Sequence, residues 1–93
     1  TGLPDSSVIT SFKIYPNPAA NLVTVQYALS ETGIVHIEIY NSLGNLVKTV
    51  ISSETTPKGN HQTVVSLEDL IPGIYSIIYQ HGSLRKTKML AKY

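Results

Sequence analysis

The chain has 93 residues, with seven basic and six acidic side chains and no cysteine. A chain of this length suits one compact domain, and a net charge of +1 excludes a whole-domain positive field of the kind that attracts nucleic acid or an anionic membrane. The lack of cysteine excludes disulfides and Cys-based zinc sites, and no apolar run approaches the roughly 20 residues of a membrane-spanning helix.

The chain divides into a short N-terminal stretch and one β-rich domain. Residues 1–11 have neither the basic start nor the apolar centre of a secretory signal, and we interpret them as the end of a flexible linker from an upstream segment. Residues 12–93 contain short β-rich runs separated at regular intervals by Gly, Pro, Asn and Ser. This pattern predicts an all-β sandwich or barrel rather than a helical fold.

Seven strands are predicted, over residues 12–15, 22–29, 34–40, 46–52, 61–67, 74–80 and 83–93. Apolar and polar residues alternate along the second and third strands, as they do when one face of a strand is buried, and one face of the sixth strand is wholly apolar or aromatic. The residues of these strands predicted to face the core are Val23, Val25, Tyr27, Leu29, Val35, Ile37, Ile39, Tyr75, Ile77 and Tyr79. The fourth strand has apolar residues on both faces, which suits either a strand covered on both sides or one with a bulge.

Glycine and proline mark several predicted turns. Pro16 and Pro18 end the first strand, because each lacks an amide donor and fixes its own φ. Gly44 supplies a positive φ in the hairpin loop after the third strand. Pro72 and Gly73 are predicted to occupy the two central positions of a type II turn.

The remaining connections are predicted from composition. Residues 53–60 are expected to form the longest loop. Residues 66–69 are expected to close one helical turn, because a Ser followed three residues later by an acid can cap a helix start. His81 and Gly82 are predicted to form a tight hairpin between the last two strands.

Residue types found in hydrolytic sites are present without the pattern of such a site. His36, His61 and His81 form no His-x-x-x-His pair, and the chain has no Gly-x-Ser-x-Gly elbow and no phosphate-binding glycine loop. We therefore expect no enzyme activity, no cofactor and no metal site. We interpret His36 and Glu38 as a solvated pair on one strand face.

The last strand concentrates positive charge. Lys86, Lys88 and Lys92 share one face and Arg85 lies opposite, with no acid after Asp69. Two interpretations stay open at this point. The lysines protect an edge strand from pairing with other sheets, or they form a basic docking strip that steers an acidic partner.

Four groups of residues, in order along the chain, indicate a protein family. They are Tyr15-Pro16-Asn17-Pro18-Ala19, the strand over residues 35–41 that leads to Leu43-Gly44, the run Leu70-Ile71-Pro72-Gly73-Ile74-Tyr75, and the lysine-bearing last strand. From residue 12 to residue 92 the chain resembles the type A C-terminal sorting domain of the type IX secretion system of Bacteroidota. The resemblance implies an immunoglobulin-like antiparallel β-sandwich of about seven strands.

The resemblance also implies a function. In this family the domain is a secretion signal that targets an upstream cargo in the same polypeptide through the outer-membrane translocon. A sortase-like surface peptidase then removes the domain, and the cargo reaches the cell surface or the extracellular space. Cleavage would fall in or just before residues 1–11. By resemblance, the recognition residues are Pro16, Asn17, Pro18, Gly44, Gly73, Tyr75, Lys86, Lys88 and Lys92.

The partners implied are the secretion machinery and its signal peptidase, with no nucleic acid. A function of another class stays open beside this one, namely an immunoglobulin-like spacer or a carbohydrate-binding module of a secreted multidomain enzyme. Sugar-binding surfaces usually expose flat aromatic rings, and the chain has no tryptophan.

Overall fold

The structure, a computed structural model, describes residues 9–93. Its strands are β1 Ile9–Tyr15, β2 Leu22–Leu29, β3 Gly33–Asn41, β4 Leu46–Thr56, β5 Gly59–Ser66, β6 Gly73–His81 and β7 Leu84–Lys92. The order is β1-β2-β5 in the smaller sheet and β4-β3-β6-β7 in the larger one, and all strand pairs are antiparallel. This arrangement confirms the predicted immunoglobulin-like β-sandwich of seven strands. Within residues 9–93 there is no helix with the length and hydropathy needed to cross a membrane.

The core lies between the two sheets and is built from the predicted inward faces. Every residue predicted to face the core is at most 4% exposed. The other members of the buried cluster are Phe12, Ala19, Val65, Leu67 and Leu90. The ring of Tyr79 in the larger sheet lies 5.3 Å from the ring of Phe12 and 5.4 Å from the ring of Tyr27 in the smaller sheet. Aromatic pairs at such distances are favourable, so these rings hold the sheets face to face without a disulfide.

The fourth strand is longer than predicted and carries bulges. Its register against β3 shifts at three places, and Ser53 has a φ of 48°. His36 Nδ1 accepts a hydrogen bond from the Ser53 N–H at 3.1 Å, and beyond this point β4 resumes pairing with β3 as far as Thr56. The bulged alternative for this strand is therefore confirmed. The prediction of a long loop over residues 53–60 is wrong, because only two residues separate β4 from β5.

The predicted type II turn at Pro72 and Gly73 is wrong. The φ of Gly73 is 159°, close to extended backbone and far from the roughly +80° that this turn requires, and Gly73 already pairs with Lys92 as the first residue of β6. The Tyr75 hydroxyl instead donates a hydrogen bond to the Ile71 carbonyl four residues upstream. This is the tyrosine corner of immunoglobulin-like domains, and it replaces the turn as the support of the corner.

Other boundaries differ by a few residues from the predictions. The first strand begins at Ile9 rather than at residue 12, and the rest of the predicted linker, residues 1–8, lies outside the described residues. The predicted helical turn over residues 66–69 is wrong. The chain makes a β-turn there, in which the Leu70 N–H donates to the Leu67 carbonyl at 3.0 Å.

Removing the hydroxyl group from each of two buried tyrosines is expected to have different effects on the free energy of unfolding. The Tyr79 hydroxyl is buried with no hydrogen-bond partner within residues 9–93, whereas the Tyr75 hydroxyl has the Ile71 carbonyl. We predict that Tyr79→Phe leaves the free energy of unfolding unchanged or raises it by up to about 1 kcal/mol, and that Tyr75→Phe lowers it by about 1–2 kcal/mol. Urea unfolding of both variants measures the difference, and a larger loss for Tyr79→Phe than for Tyr75→Phe would contradict the prediction.

Candidate functional site

The four residue groups singled out in the sequence meet at one end of the sandwich. Asn41 at the end of β3 pairs with Tyr75 near the start of β6, and Gly73 pairs with Lys92 at the end of β7. Ala19, in the connection after β1, forms a parallel bridge with Lys92. We call this end of the sandwich the motif end, formed by residues 16–19, 41–45, 71–73 and 89–93.

Asn17 and Ala19 join the segment after β1 to the last strand. The Asn17 side chain donates from Nδ2 to the Met89 carbonyl at 2.9 Å and accepts at Oδ1 from the Ala91 N–H at 3.0 Å. The Ala19 N–H donates to the Ala91 carbonyl at 2.8 Å, and the Ala19 carbonyl accepts from the Tyr93 N–H at 2.9 Å. We call these four hydrogen bonds the Asn17 clamp. They cover the free edge of β7 over its C-terminal half.

The residues around Asn17 suit the clamp. Pro16 and Pro18 are exposed and each follows a cis peptide bond. Because neither proline has an N–H, the backbone donors of residues 16–19 are confined to Asn17 and Ala19. The Ala19 side chain is fully buried. The motif Pro-Asn-Pro-Ala therefore has a structural role, which is to attach the first connection of the chain to its last strand.

Gly44 shapes the hairpin between β3 and β4 at the motif end. Its φ of 87° confirms the predicted positive φ, and its N–H donates to the Asn41 carbonyl at 3.0 Å. The Asn41 side chain accepts at Oδ1 from the Leu43 and Asn45 N–H groups at 3.0 and 2.9 Å. Leu43 at the tip is 83% exposed, so this hairpin presents a large apolar side chain to solvent.

The three lysines predicted to take part in recognition occupy two different places. Lys86 and Lys88 lie on the inward side of β7, opposite Tyr79 and Ile77 of β6. Both are exposed, because β7 is an edge strand and a long side chain there reaches solvent between the two sheets. Lys92 is half-buried at the motif end, where its Nζ donates to a backbone carbonyl at 3.2 Å. Inward-pointing charges on an edge strand are a known obstacle to sheet-to-sheet pairing.

A groove on the outer face of the larger sheet runs from the motif end along β6 and β7. Ile78 forms its floor and is only 8% exposed, while Ile74 and Met89 are 49% and 66% exposed. Arg85 also lines the groove. The sequence analysis did not predict this groove, because the alternation along the sixth strand identified only the inward face. The signal was Ile74 and Ile78 on the opposite face, where a strand with one solvated side would carry polar residues.

His36, Glu38 and Tyr40 form a hydrogen-bonded row on the outer face of β3. His36 Nδ1 accepts from the Ser53 N–H, so Nε2 carries a proton and donates to Glu38 Oε2 at 2.8 Å. The Tyr40 hydroxyl donates to Glu38 Oε1 at 2.7 Å. The hydrogen bonds from His36 and then Tyr40 lower the pKa of the Glu38 carboxyl. His36 and Glu38 are half-buried, and His36 accepts the hydrogen bond from Ser53 in β4, which differs from the solvated pair that we predicted.

The acids outside this row offer little to a metal ion. Asp69 forms an ion pair with Lys48 at 3.2 Å, and the hydrogen bond from Lys48 lowers the pKa of the Asp69 carboxyl. Across residues 9–93, no group of three or more His, Asp or Glu side chains is placed to hold a metal ion.

The Asn17 clamp leads to a prediction about stability. We expect Asn17→Ala to lower the free energy of unfolding by about 1–2 kcal/mol, because it removes two hydrogen bonds of about 0.5–1.5 kcal/mol each. Asn21→Ala is the matched control, since the Asn21 side chain is exposed and makes no hydrogen bond within the described residues. Chemical unfolding of both variants measures the effect. Equal losses at the two positions would show that the clamp contributes nothing to stability.

The Glu38 row leads to a prediction about pH. The folded pKa of Glu38 is lowered, so its contribution to stability is present above the ordinary value of 4.5 and is lost as the pH falls through the lower folded pKa. We expect Glu38→Gln to be less stable than the parent near neutral pH, with the difference shrinking as the pH falls below 4.5. Thermal unfolding across this range tests it, with Glu31→Gln as a control for net charge. A difference that stays constant down to about pH 3 would contradict the prediction.

Comparisons with known proteins identify the family. The family model described as a secretion system C-terminal sorting domain matches residues 13–92, which include residues of all four groups at the motif end. A search of curated proteins gives no match. The family consists of sorting signals for secretion to the cell surface or extracellular space and is not a family of enzymes. The chain therefore belongs to the family of C-terminal sorting domains of the type IX secretion system.

Proposed function

We propose that this domain carries an upstream cargo through the outer-membrane translocon of the type IX secretion system, and that a sortase-like surface peptidase then removes it. The cargo is released or attached at the cell surface. The secretion machinery binds the motif end of the folded domain, with Lys86 and Lys88 beside it along β7. This proposal adds a route, a partner surface and a processing step to the sorting role of the family.

The observation that carries the proposal is the Asn17 clamp. Its four hydrogen bonds place residues 16–19 directly against residues 89–93, although these segments are about 70 positions apart in the sequence. Strand pairing brings Gly44 and Gly73 to the same end. A partner can therefore contact all the groups at once as a single surface, and the surface exists only when the domain is folded.

The start of the first strand limits where the peptidase can cut. Proteases cut extended segments that are not paired in a sheet. Residues 9–15 belong to β1, and β1 pairs with β2 from Ile9 onward. We place the cleavage upstream of Ile9, within or before residues 1–8.

Export of a reporter tests the proposal. We expect a fluorescent protein fused upstream of residues 1–93 to reach the medium or the cell surface in a host with the type IX system, and to lose the domain there. The same fusion in a translocon-deficient strain is the control and should remain in the periplasm. Retention of the fusion in the periplasm of the competent host would overturn the proposal, and secreted fusion that keeps the domain would overturn the cleavage step.

A variant of the last strand tests the motif end more finely. Deleting residues 89–93 should abolish export, but it also removes the fully buried Leu90 and three partners of the clamp. Lys92→Gln keeps these contacts and removes one charge. We predict that it lowers export by roughly twofold to fivefold, as expected for the loss of one ion pair with a partner at the protein surface. Lys58→Gln, on the short β4–β5 connection, is the control and should export normally; equal export of both variants would contradict the prediction.

A further inference from the structure

The edge of β7 is covered over only half of its length. Backbone groups on an edge strand alternate between the sheet and the outside, and the clamp shows that Ala91 directs both its N–H and its carbonyl outward. By the same alternation Arg85 and Thr87 direct their backbone N–H and carbonyl groups outward, as Met89 does with its carbonyl. The outward N–H and carbonyl groups of Arg85 and Thr87 and the N–H of Met89 have no partner within residues 9–93, whereas the Met89 carbonyl is bonded to Asn17. Residues 85–89 thus form an open row of donors and acceptors that continues the covered part of the edge.

The charges on the two strands that border this open row all have one sign, and the nearby acid is Glu38 of β3, whose carboxylate lies within electrostatic reach of Arg85. The two strands at this side of the sandwich, β1 and β7, hold five of the seven basic residues of the chain and no acid. They are Lys13, Arg85, Lys86, Lys88 and Lys92. The acids within residues 9–93 lie on β3 and β4 and on the β2–β3 and β5–β6 connections. The basic residues of β1 and β7 would therefore attract a negatively charged partner to this edge.

We propose that a segment of the secretion machinery binds by adding an extended strand to β7 alongside residues 85–89, and that this segment carries carboxylates at alternate positions. The proposal rests on the proposed function and names the mode of binding. Main-chain hydrogen bonds to Arg85 and Thr87 hold the added strand, in the manner of β-strand addition to exposed sheet edges. Its carboxylates lie beside Lys86 and Lys88.

The side chains of β7 define the two faces of the added strand. Residues of the partner beside Lys86 and Lys88 face the solvent-filled edge between the sheets, so acidic side chains suit those positions. Residues beside Thr87 and Met89 face the outer groove, whose floor is Ile78, so an apolar side chain suits those positions. The segment recognised is thus an alternation of acidic and apolar residues.

A second copy of this chain does not fit the same edge. Two β7 strands paired antiparallel about Thr87 would place Lys86 of each copy opposite Lys88 of the other. Like charges directly opposite each other destabilise a strand pair. The lysines that favour an acidic strand therefore also prevent self-association through this edge.

Thr87→Pro tests strand addition with little change to the domain itself. The Thr87 side chain is exposed and its N–H points away from β6, so proline removes an outward donor and no bond of the sheet. Thr87→Val keeps the N–H and is the matched control. In the reporter assay we expect Thr87→Pro to reduce export at least about tenfold, the equivalent of 1.4 kcal/mol, and Thr87→Val to export normally. Equal export of the two variants would overturn the proposal.

A titration in solution tests the same edge without export. The probe is an acetylated pentapeptide with glutamate at alternate positions and valine between them, added to the ¹⁵N-labelled 93-residue chain and followed by NMR. We expect saturable shifts of the Arg85, Thr87 and Met89 amides. Replacing glutamate by glutamine in the probe, or Lys86 and Lys88 by Gln in the domain, should weaken binding by about threefold to tenfold.

The two experiments separate this proposal from the proposed function. If the parent fusion is exported but Thr87→Pro and Thr87→Val behave alike, the domain is a sorting signal that is not read by strand addition. If Thr87→Pro does not fold, as judged by its NMR spectrum, the peptide titration decides. Shifts confined to the groove around Ile78, or no shifts at all, would overturn strand addition. If the parent fusion is not exported, the proposed function fails regardless of the titration.

Discussion

The Asn17 clamp is the interaction on which the arrangement of this domain depends. After β1 the chain leaves the smaller sheet, bonds to the last strand of the larger sheet through Asn17 and Ala19, and returns to the smaller sheet in β2. The clamp therefore links the two sheets at the same side where Phe12 and Tyr79 pack between them. It also satisfies backbone groups of an edge strand that would otherwise face solvent. With no cysteine to cross-link the sheets, this connection and the aromatic core hold the first and last strands together.

The same contacts give residues of the motif end structural roles of their own. Gly44 permits the β3–β4 hairpin, the Tyr75 hydroxyl supports the corner before β6, and Asn17 fixes the C-terminal strand. None of these groups needs a partner protein to account for its presence. Their shared position nevertheless forms a surface at which a partner can meet the first connection and the last strand together. Exposed side chains there, such as Leu43, are better candidates for direct contact than the residues that shape the backbone.

The last strand meets two physical demands with one set of residues. An open sheet edge tends to pair with other strands, and inward-facing lysines make pairing with a second copy unfavourable. The same lysines attract a strand of opposite charge, so an edge that resists self-association can still accept a specific partner. The two interpretations of the basic strand that the sequence left open are therefore compatible. The half of the edge that the clamp covers is closed to both kinds of pairing, which confines any added strand to residues 85–89.

The sequence by itself determined the fold class, the inward faces of β2, β3 and β6, and the family. Alternation placed Val23, Val25 and the other inward residues correctly, because strand periodicity follows directly from backbone geometry. It could not determine where β4 ends, because the pairing beyond Ser53 depends on a hydrogen bond from the Ser53 N–H to a distant residue, His36. The sequence also predicted a type II turn at Pro72 and Gly73. In the structure this corner has instead the hydrogen bond from the Tyr75 hydroxyl to the Ile71 carbonyl. Only the tertiary structure brought Asn17 to the last strand and left half of that strand open, because hydrogen bonds between segments some 70 residues apart have no local signature in the sequence.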